Sequence, residues 1–185
     1  MFNFLKHTTL DPLSVTMVGV KLADRVLVVG CRDPRLIAAL AIKAGLTGRT
    51  CAVDRSDSVV RDAERTTLAE GALVEFAVLA GATIPYDAAS FDVVVLRDLT
   101  RTADASERQA IGADASRVLR PGGRCMVIDT VGASGGLAGL FGRGAPPDPK
   151  HASEITEAFK GLGYVAVRTL AERDGLLFIE AVKKA

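Results

Sequence analysis

The chain has 185 residues, a length typical of one domain with a sizeable hydrophobic core. Hydrophobic residues make up 49% of it and charged residues 24%, with a formal net charge of +1, and this balance argues against a nucleic-acid partner held by a basic surface. The apolar runs are shorter than the roughly 18 residues of a membrane span, and the first residues lack the pattern of a signal peptide. We therefore expect one soluble, cytoplasmic domain over residues 1–185.

The first half of the chain alternates between two hydrophobic periods. Residues 1–21 are weakly patterned and form an N-terminal segment that packs on the domain or on a partner. From residue 25, short β-branched runs typical of strands buried on both faces alternate with segments of helical spacing. Ser56 or Asp57 is a good N-cap for the second of these helices. The pattern predicts strands over 25–30, 51–54, 72–79 and 91–96, and helices over 34–45 and 56–71.

The second half continues this alternation and ends differently. The spacing predicts a helix over 105–120 opened by a Ser106–Gln109 capping box, a strand over 123–129 and a helix over 151–163. Residues 164–184 hold two β-like runs joined near Asp174-Gly175, a dipeptide typical of hairpin turns. The predicted fold class is therefore α/β, with a seven-stranded, mostly parallel sheet, a C-terminal antiparallel hairpin and helices on both faces.

Residues 131–150 are rich in glycine and proline, a composition that does not hold a stable helix. Two interpretations stay open for this stretch. It is either a mobile connector or a lid over a ligand, for which Leu137, Leu140 and Phe141 would supply apolar contacts.

The three cysteines, Cys31, Cys51 and Cys125, form no CxxC pair and have no histidine at metal-ligand spacing. This spacing argues against a zinc site and against a disulfide framework. We expect reduced, buried thiols and no bound metal.

Four stretches resemble motifs of the class I S-adenosylmethionine-dependent methyltransferases, in matching order. IPYDAASFDVV at 84–94 is similar to the segment before their fourth strand, and RVLRPGGR at 117–124 to their turn into the fifth. VLVVGC at 26–31 resembles their first motif, and AVDRS at 52–56 the end of their second strand. By eye the type 11 subgroup, which includes quinone-biosynthesis methyltransferases, is the nearest. The resemblance implies a Rossmann-like class I methyltransferase fold and S-adenosylmethionine as the cofactor.

The resemblance also implies where the cofactor binds. In this fold the ligand lies outside the carboxyl ends of the strands. Asp54 ends the second strand and matches the family acid that accepts hydrogen bonds from the cofactor ribose; the alternative is a cap for the next helix. The other candidate cofactor-binding residues are Gly30, Cys31, Arg32, Arg55, Ala80, Gly81, Leu96 and Arg97.

The first loop departs from the family pattern. The acid expected two residues before Gly30 is replaced by Val28, and Arg32 and Pro34 stand where two further glycines are usual. Asp33 is a natural N-cap and Pro34 suits the first helical position. The loop is therefore predicted to begin a helix whose first backbone N–H groups are capped by the loop itself. The negative charge of Asp33 would lie near the cofactor carboxylate. Arg32 or Arg35 would compensate by pairing with that carboxylate.

The later strands leave further alternatives. The acid that often meets the adenine after strand three is absent at Ala80 and Gly81. Arg97 and Asp98 face the mouth of the pocket, where they either bind substrate or pair with surface charges such as Arg101.

No residue can be assigned as catalytic from the sequence, because methyl transfer needs mainly alignment and desolvation. The two histidines are His7 and His151. We expect both to be solvated, with a general base as the alternative role.

Two hypotheses about function follow. The first is a methyltransferase acting on an unknown small-molecule acceptor. The alternative is a catalytically inactive methyltransferase-like domain that serves as a ligand-binding or protein-partner module, with a homo-oligomer or another protein as the open partner. A nicotinamide-dependent oxidoreductase is disfavoured, because Arg32 and Arg35 replace the second and third glycines of its phosphate-binding loop.

Overall fold

A computed structural model of the protein describes residues 12–99, 103–131, 149–173 and 175–185. Most of the N-terminal segment, including His7, lies outside the described residues, as do Arg101 and Asp174. The connector-or-lid alternative for 131–150 also falls almost entirely outside them, together with its three apolar residues.

Seven strands form one sheet in the order β3-β2-β1-β4-β5-β7-β6. The strands are β1 Arg25–Val29, β2 Arg49–Asp54, β3 Glu75–Val78, β4 Phe91–Arg97, β5 Leu119–Thr130, β6 Tyr164–Arg173 and β7 Leu176–Lys183. The described helices are α1 Pro12–Val18, α2 Pro34–Ala44, α3 Asp57–Ala69, α4 Ala105–Val118 and α5 Pro149–Gly161. The first five strands run parallel, and β7 pairs antiparallel with both β5 and β6. The predicted fold class, including the terminal antiparallel pair, is confirmed.

Apolar side chains are buried on both faces of the sheet. Along β1, Leu27 and Val29 join one core cluster, while Val26 and Val28 join the other. Helices α4 and α5 cover the first face, and α1, α2 and α3 contribute to the second. A strand covered on both faces needs no polar alternation, which explains the continuous apolar runs.

Helix α4 begins at Ala105, as predicted, but its capping residue and its C-terminal boundary differ from the prediction. The N-cap is Asp104, whose carboxylate accepts a hydrogen bond from the backbone nitrogen of Glu107 at 2.9 Å, and not the predicted capping box at Ser106. The helix ends at Val118, since Leu119 already pairs with Phe91 as the first residue of β5. The predicted strand over 72–79 shortens to Glu75–Val78, at the outer edge of the sheet.

The last turn of α4 binds the motif segment that precedes β4. Arg117 donates to the carbonyl oxygens of Ile84 at 2.9 Å and Tyr86 at 2.8 Å. Asp114 accepts from the backbone nitrogen of Ile84 at 2.6 Å and pairs with Arg117 at 2.6 Å. This clamp holds the segment that leads into β4 against the helix that leads into β5.

No helix in the described ranges is long and apolar enough to cross a membrane. The three cysteines are free and buried in the core. Burial, reinforced by the nearby charge of Asp54, raises the pKa of Cys31 to about 12, so its thiol stays protonated at neutral pH.

Candidate active site

A cleft of about 200 Å³ opens where β1, β2 and β4 end. The parallel register sets Val29 level with both Val53 and Leu96, so the residues that follow each strand meet at one edge. The sheet order reverses between β1 and β4, which is the switch point where open α/β sheets bind ligands. Leu79, Leu99 and Ile111 give the cleft an apolar wall.

Five of the nine predicted cofactor-binding residues line this cleft: Gly30, Arg32, Asp54, Arg55 and Arg97. The other four do not line it. Cys31 and Leu96 are buried in the core, whereas Ala80 and Gly81 are exposed beyond the end of β3. Leu79, just before them, takes the place at the cleft.

Gly30 lies where two strands come unusually close. Its φ is +101°, and a Cβ atom added there would lie 2.6 Å from the carbonyl oxygen of Arg97. Its backbone nitrogen also donates to the carbonyl oxygen of Val53 at 2.8 Å. Glycine is required here by both backbone conformation and space.

Asp54 connects the first loop to the end of β2. One carboxylate oxygen accepts from the backbone nitrogen of Cys31 at 2.9 Å, and the other from that of Ser56 at 3.0 Å. The N-cap of α3 is Ser56, so the alternative of Asp54 as that helix's cap is wrong. Each carboxylate oxygen can accept a second hydrogen bond, which leaves capacity for ligand hydroxyls.

Asp33 is the N-cap of α2, as the sequence predicts. Its Oδ1 accepts from the backbone nitrogen of Leu36 at 3.2 Å, and Pro34 occupies the first helical position. Its Oδ2 lies 3.8 Å from Nε of Arg97. The acidic loop residue is thus held by its own helix and by a cation from β4.

Arg97 is held from several sides, with its side chain only 11% exposed. Nη1 lies 2.8 Å from the carboxylate of Asp98 and donates to Thr130 and to the carbonyl oxygen of Ile128, both at 3.2 Å. Within the described residues, its buried Nε makes no hydrogen bond. This nitrogen is enclosed by protein and faces Oδ2 of Asp33.

Asp98 links the end of β4 to the end of β5. It adopts a φ of +53°, and its carboxylate accepts from the backbone nitrogen of Thr130 at 2.7 Å. Its own nitrogen donates to the carbonyl oxygen of Ile128 at 2.9 Å. Arg97 and Asp98 therefore pair with each other, and the surface charge Arg101 suggested by the sequence is outside the described residues.

The sequence argument missed a further pair near this edge. Asp129, at the end of β5, is fully buried, and its Oδ2 lies 3.4 Å from Nε2 of His151 on α5. His151 is 31% exposed, so it is partly solvated, as well as lying against Asp129. An aspartate inside the apolar run of β5 was the available signal, since a buried carboxylate requires a partner.

A family model described as a methyltransferase domain matches residues 26–123. Among curated proteins, the chain is similar to the ubiquinone/menaquinone biosynthesis C-methyltransferase UbiE of Cupriavidus taiwanensis, with 28% identity over 127 residues, 66% of this chain and 50% of the relative. The corresponding protein of Ralstonia pickettii is 28% identical over 123 residues, again 66% of this chain and 50% of the relative. The matched region thus spans about half the length of these relatives.

Solved structures share the fold at low sequence identity. A SAM-dependent methyltransferase from Aquifex aeolicus superimposes with a TM-score of 0.75 at 19% identity, covering 94% of both chains. The [4+2]-cyclase SpnF gives a TM-score of 0.68 at 16% identity, covering 94% of this chain and 79% of the other. With the motif order, the sheet topology and the family match in agreement, the chain belongs to the methyltransferase domain family of class I S-adenosylmethionine-dependent methyltransferases.

Proposed function

We propose that the protein is an S-adenosylmethionine-dependent methyltransferase acting on a small-molecule acceptor. The observation that carries the proposal is the meeting of Gly30, Asp54 and Arg97 at one cleft, at the switch point of a methyltransferase sheet. This is where the family resemblance expects the cofactor. Family membership supports the reaction class.

The residues present fit the cofactor. Gly30 lines the cleft and has no side chain, so the backbone of the first loop can approach a ligand closely. Asp54 retains lone pairs for the two ribose hydroxyls. Arg32 is exposed at the cleft and offers donors to the cofactor carboxylate.

The altered first loop is compatible with this fit. Its extra negative charge, Asp33, is directed to the α2 backbone and to Arg97. That pairing reduces the repulsion between Asp33 and a cofactor carboxylate, at the expense of part of the Arg97 charge.

When bound, S-adenosylmethionine supplies a methyl group activated by its sulfonium. The chain's part is to align the acceptor and to exclude water, for which Leu79, Leu99 and Ile111 provide the apolar wall. The relatives named as C-methyltransferases of quinone biosynthesis support a ring carbon of a quinol-type acceptor as the first chemistry to test.

Calorimetric titration with S-adenosylmethionine and S-adenosylhomocysteine tests the proposal. We expect micromolar binding that falls at least tenfold in Asp54→Asn, which keeps one acceptor oxygen for the loop. Asp62→Asn, an exposed carboxylate on α3, is the matched control and should bind as the wild type does. Absence of binding by folded protein at millimolar ligand would reject the proposal in favour of an inactive, partner-binding module.

A further inference from the structure

A histidine and a buried aspartate meet at the carboxyl end of β5. Nε2 of His151 lies 3.4 Å from Oδ2 of Asp129, whose side chain is completely buried. Neither residue belongs to the cofactor contacts proposed above. A carboxylate set against an imidazole orients the ring and stabilises its protonated form, which is what a histidine general base requires.

Helix α5 places His151 at the end of its buried stripe. His151, Ile155 and Phe159 are four residues apart and share one helix face. Ile155 and Phe159 are buried in the core cluster that also contains the cleft residues Leu99 and Ile111. Packing of this stripe and the contact with Asp129 hold His151 at the carboxyl end of β5.

Strand β5 brings Asp129 next to the cleft. Its two neighbours in the chain, Ile128 and Thr130, accept hydrogen bonds from Arg97, which lines the cleft. Along β5, Ile128 packs in the opposite core cluster and Val127 in the cluster of Leu99 and Ile111. Because side chains alternate along a strand, Asp129 points to the same face as Leu99 and Ile111.

We infer that His151 is the general base that accepts a proton from the methyl acceptor, with Asp129 as its positioning residue. The inference rests on the proposed function and names its substrate class, a phenolic or quinol-type compound with an ionisable hydroxyl. The hydroxyl proton passes to the imidazole of His151. The electron pair left on the acceptor forms the bond to the methyl carbon as the carbon–sulfur bond breaks toward sulfur. Where a ring carbon is methylated, the hydrogen of that carbon restores the hydroxyl.

The first test needs no acceptor. Carbethoxylation by diethyl pyrocarbonate, mapped to His151 by peptide mass spectrometry, measures the reactivity of its neutral imidazole when the rate is taken on the alkaline plateau of the pH–rate profile. We expect this plateau rate to be at least threefold lower in Asp129→Asn than in wild type, because an amide supports the developing positive charge less well. Glu157→Gln, an exposed change on the same helix, should react at the wild-type rate. Equal rates in wild type and Asp129→Asn would overturn the inference.

The second test measures methyl transfer to naphthalene-1,4-diol. In His151→Ala, kcat should fall at least a hundredfold, with partial recovery in added imidazole, while S-adenosylhomocysteine binds as in wild type. In Asp129→Asn, kcat should fall about tenfold with little change in KM. A His151→Ala variant that keeps wild-type kcat would overturn the inference.

The two proposals fail in different ways. If the wild-type protein does not bind the cofactor, the proposed function is rejected, whatever the variants do. Normal cofactor binding together with unchanged carbethoxylation rates rejects only the role of the pair. Equal carbethoxylation rates overturn the inference even if the probe is not methylated.

Discussion

Gly30 is retained from the family's first motif, although the acid before it and the two glycines after it are replaced. The usual acid and two further glycines are replaced by Val28, Arg32 and Pro34. The remaining glycine is the one that the packing of β1 against β4 requires. Arg32 is exposed and Pro34 begins α2, whereas Gly30 lies where two backbones touch.

Gly30→Ala should lower the free energy of unfolding by about 2 kcal/mol or more, because it adds a positive-φ penalty to a contact with the Arg97 carbonyl oxygen. Gly71→Ala is the matched control. Gly71 has a φ of +73° with no atom near its Cβ position, so only the backbone penalty of about 1 kcal/mol applies. Urea denaturation measures both; equal losses would show that the strand contact is unimportant.

Asp33→Asn tests whether the acidic loop limits cofactor affinity. Asparagine keeps the N-cap of α2, so stability should change little, while the negative charge next to the cleft disappears. Removing about 1 kcal/mol of repulsion should tighten S-adenosylmethionine binding roughly fivefold. Calorimetry at low salt is the measurement, and an unchanged dissociation constant would argue that Arg97 already neutralises Asp33.

Among the elements, α4 has the most specific connection to the rest of the fold. Its last turn presents Asp114 and Arg117 to the segment around Ile84, which explains why two separate motifs occur together. Helix α4 also contributes Ile111 to the cleft wall. The clamp therefore connects the approach to β4 with the shape of the site.

The pairing of Asp114 with Arg117 makes the free energy of unfolding depend on pH. The hydrogen bonds from Arg117 hold the pKa of Asp114 below its ordinary value. A carboxylate with a lowered folded-state pKa stabilises the protein fully above its unfolded pKa, near 3.9, and loses that contribution as the pH falls through the folded value. Asp114→Asn should therefore be less stable than wild type at pH 7, with the difference shrinking below about pH 4. A difference independent of pH in urea denaturation would contradict this assignment.

For the molecule as a whole, one sheet with helices on both faces brings the carboxyl ends of its five parallel strands to a common edge. The site is consequently assembled from residues that are distant in the chain, such as Gly30, Asp54 and Arg97. Ligand binding at this edge should stabilise the entire domain, because the ligand contacts several strands that unfold together.

Saturating S-adenosylhomocysteine should raise the free energy of unfolding by about 2.7 kcal/mol at a hundred times its dissociation constant. Differential scanning calorimetry should show this as a rise in Tm. Asp54→Asn should lose most of the rise, whereas Asp62→Asn should keep it. A rise of equal size in both variants would place the ligand away from the end of β2.

Much of the fold and part of the site could be predicted from residues alone. Continuous apolar runs identify strands covered on both faces, and Asp33-Pro34 identifies a helix start, because both depend on neighbours within a few residues. Gly30 follows β1 and Asp54 ends β2, so the predicted strands were sufficient to place both at the edge where open α/β sheets bind ligands. The N-cap at Asp104 was missed because Ser106 offers an equally plausible local pattern.

The contacts between distant residues depend on register and on crossovers, which local spacing does not encode. The pairing of Asp129 with His151 follows from the placement of α5 over the end of β5, and the burial of Arg97 from the level ends of β4 and β5. Local periodicity was sufficient for the elements because backbone hydrogen bonding is local in helices and repetitive in strands. The site required the packed sheet, since its chemistry arises from charged groups that are brought together only when apolar surface is buried.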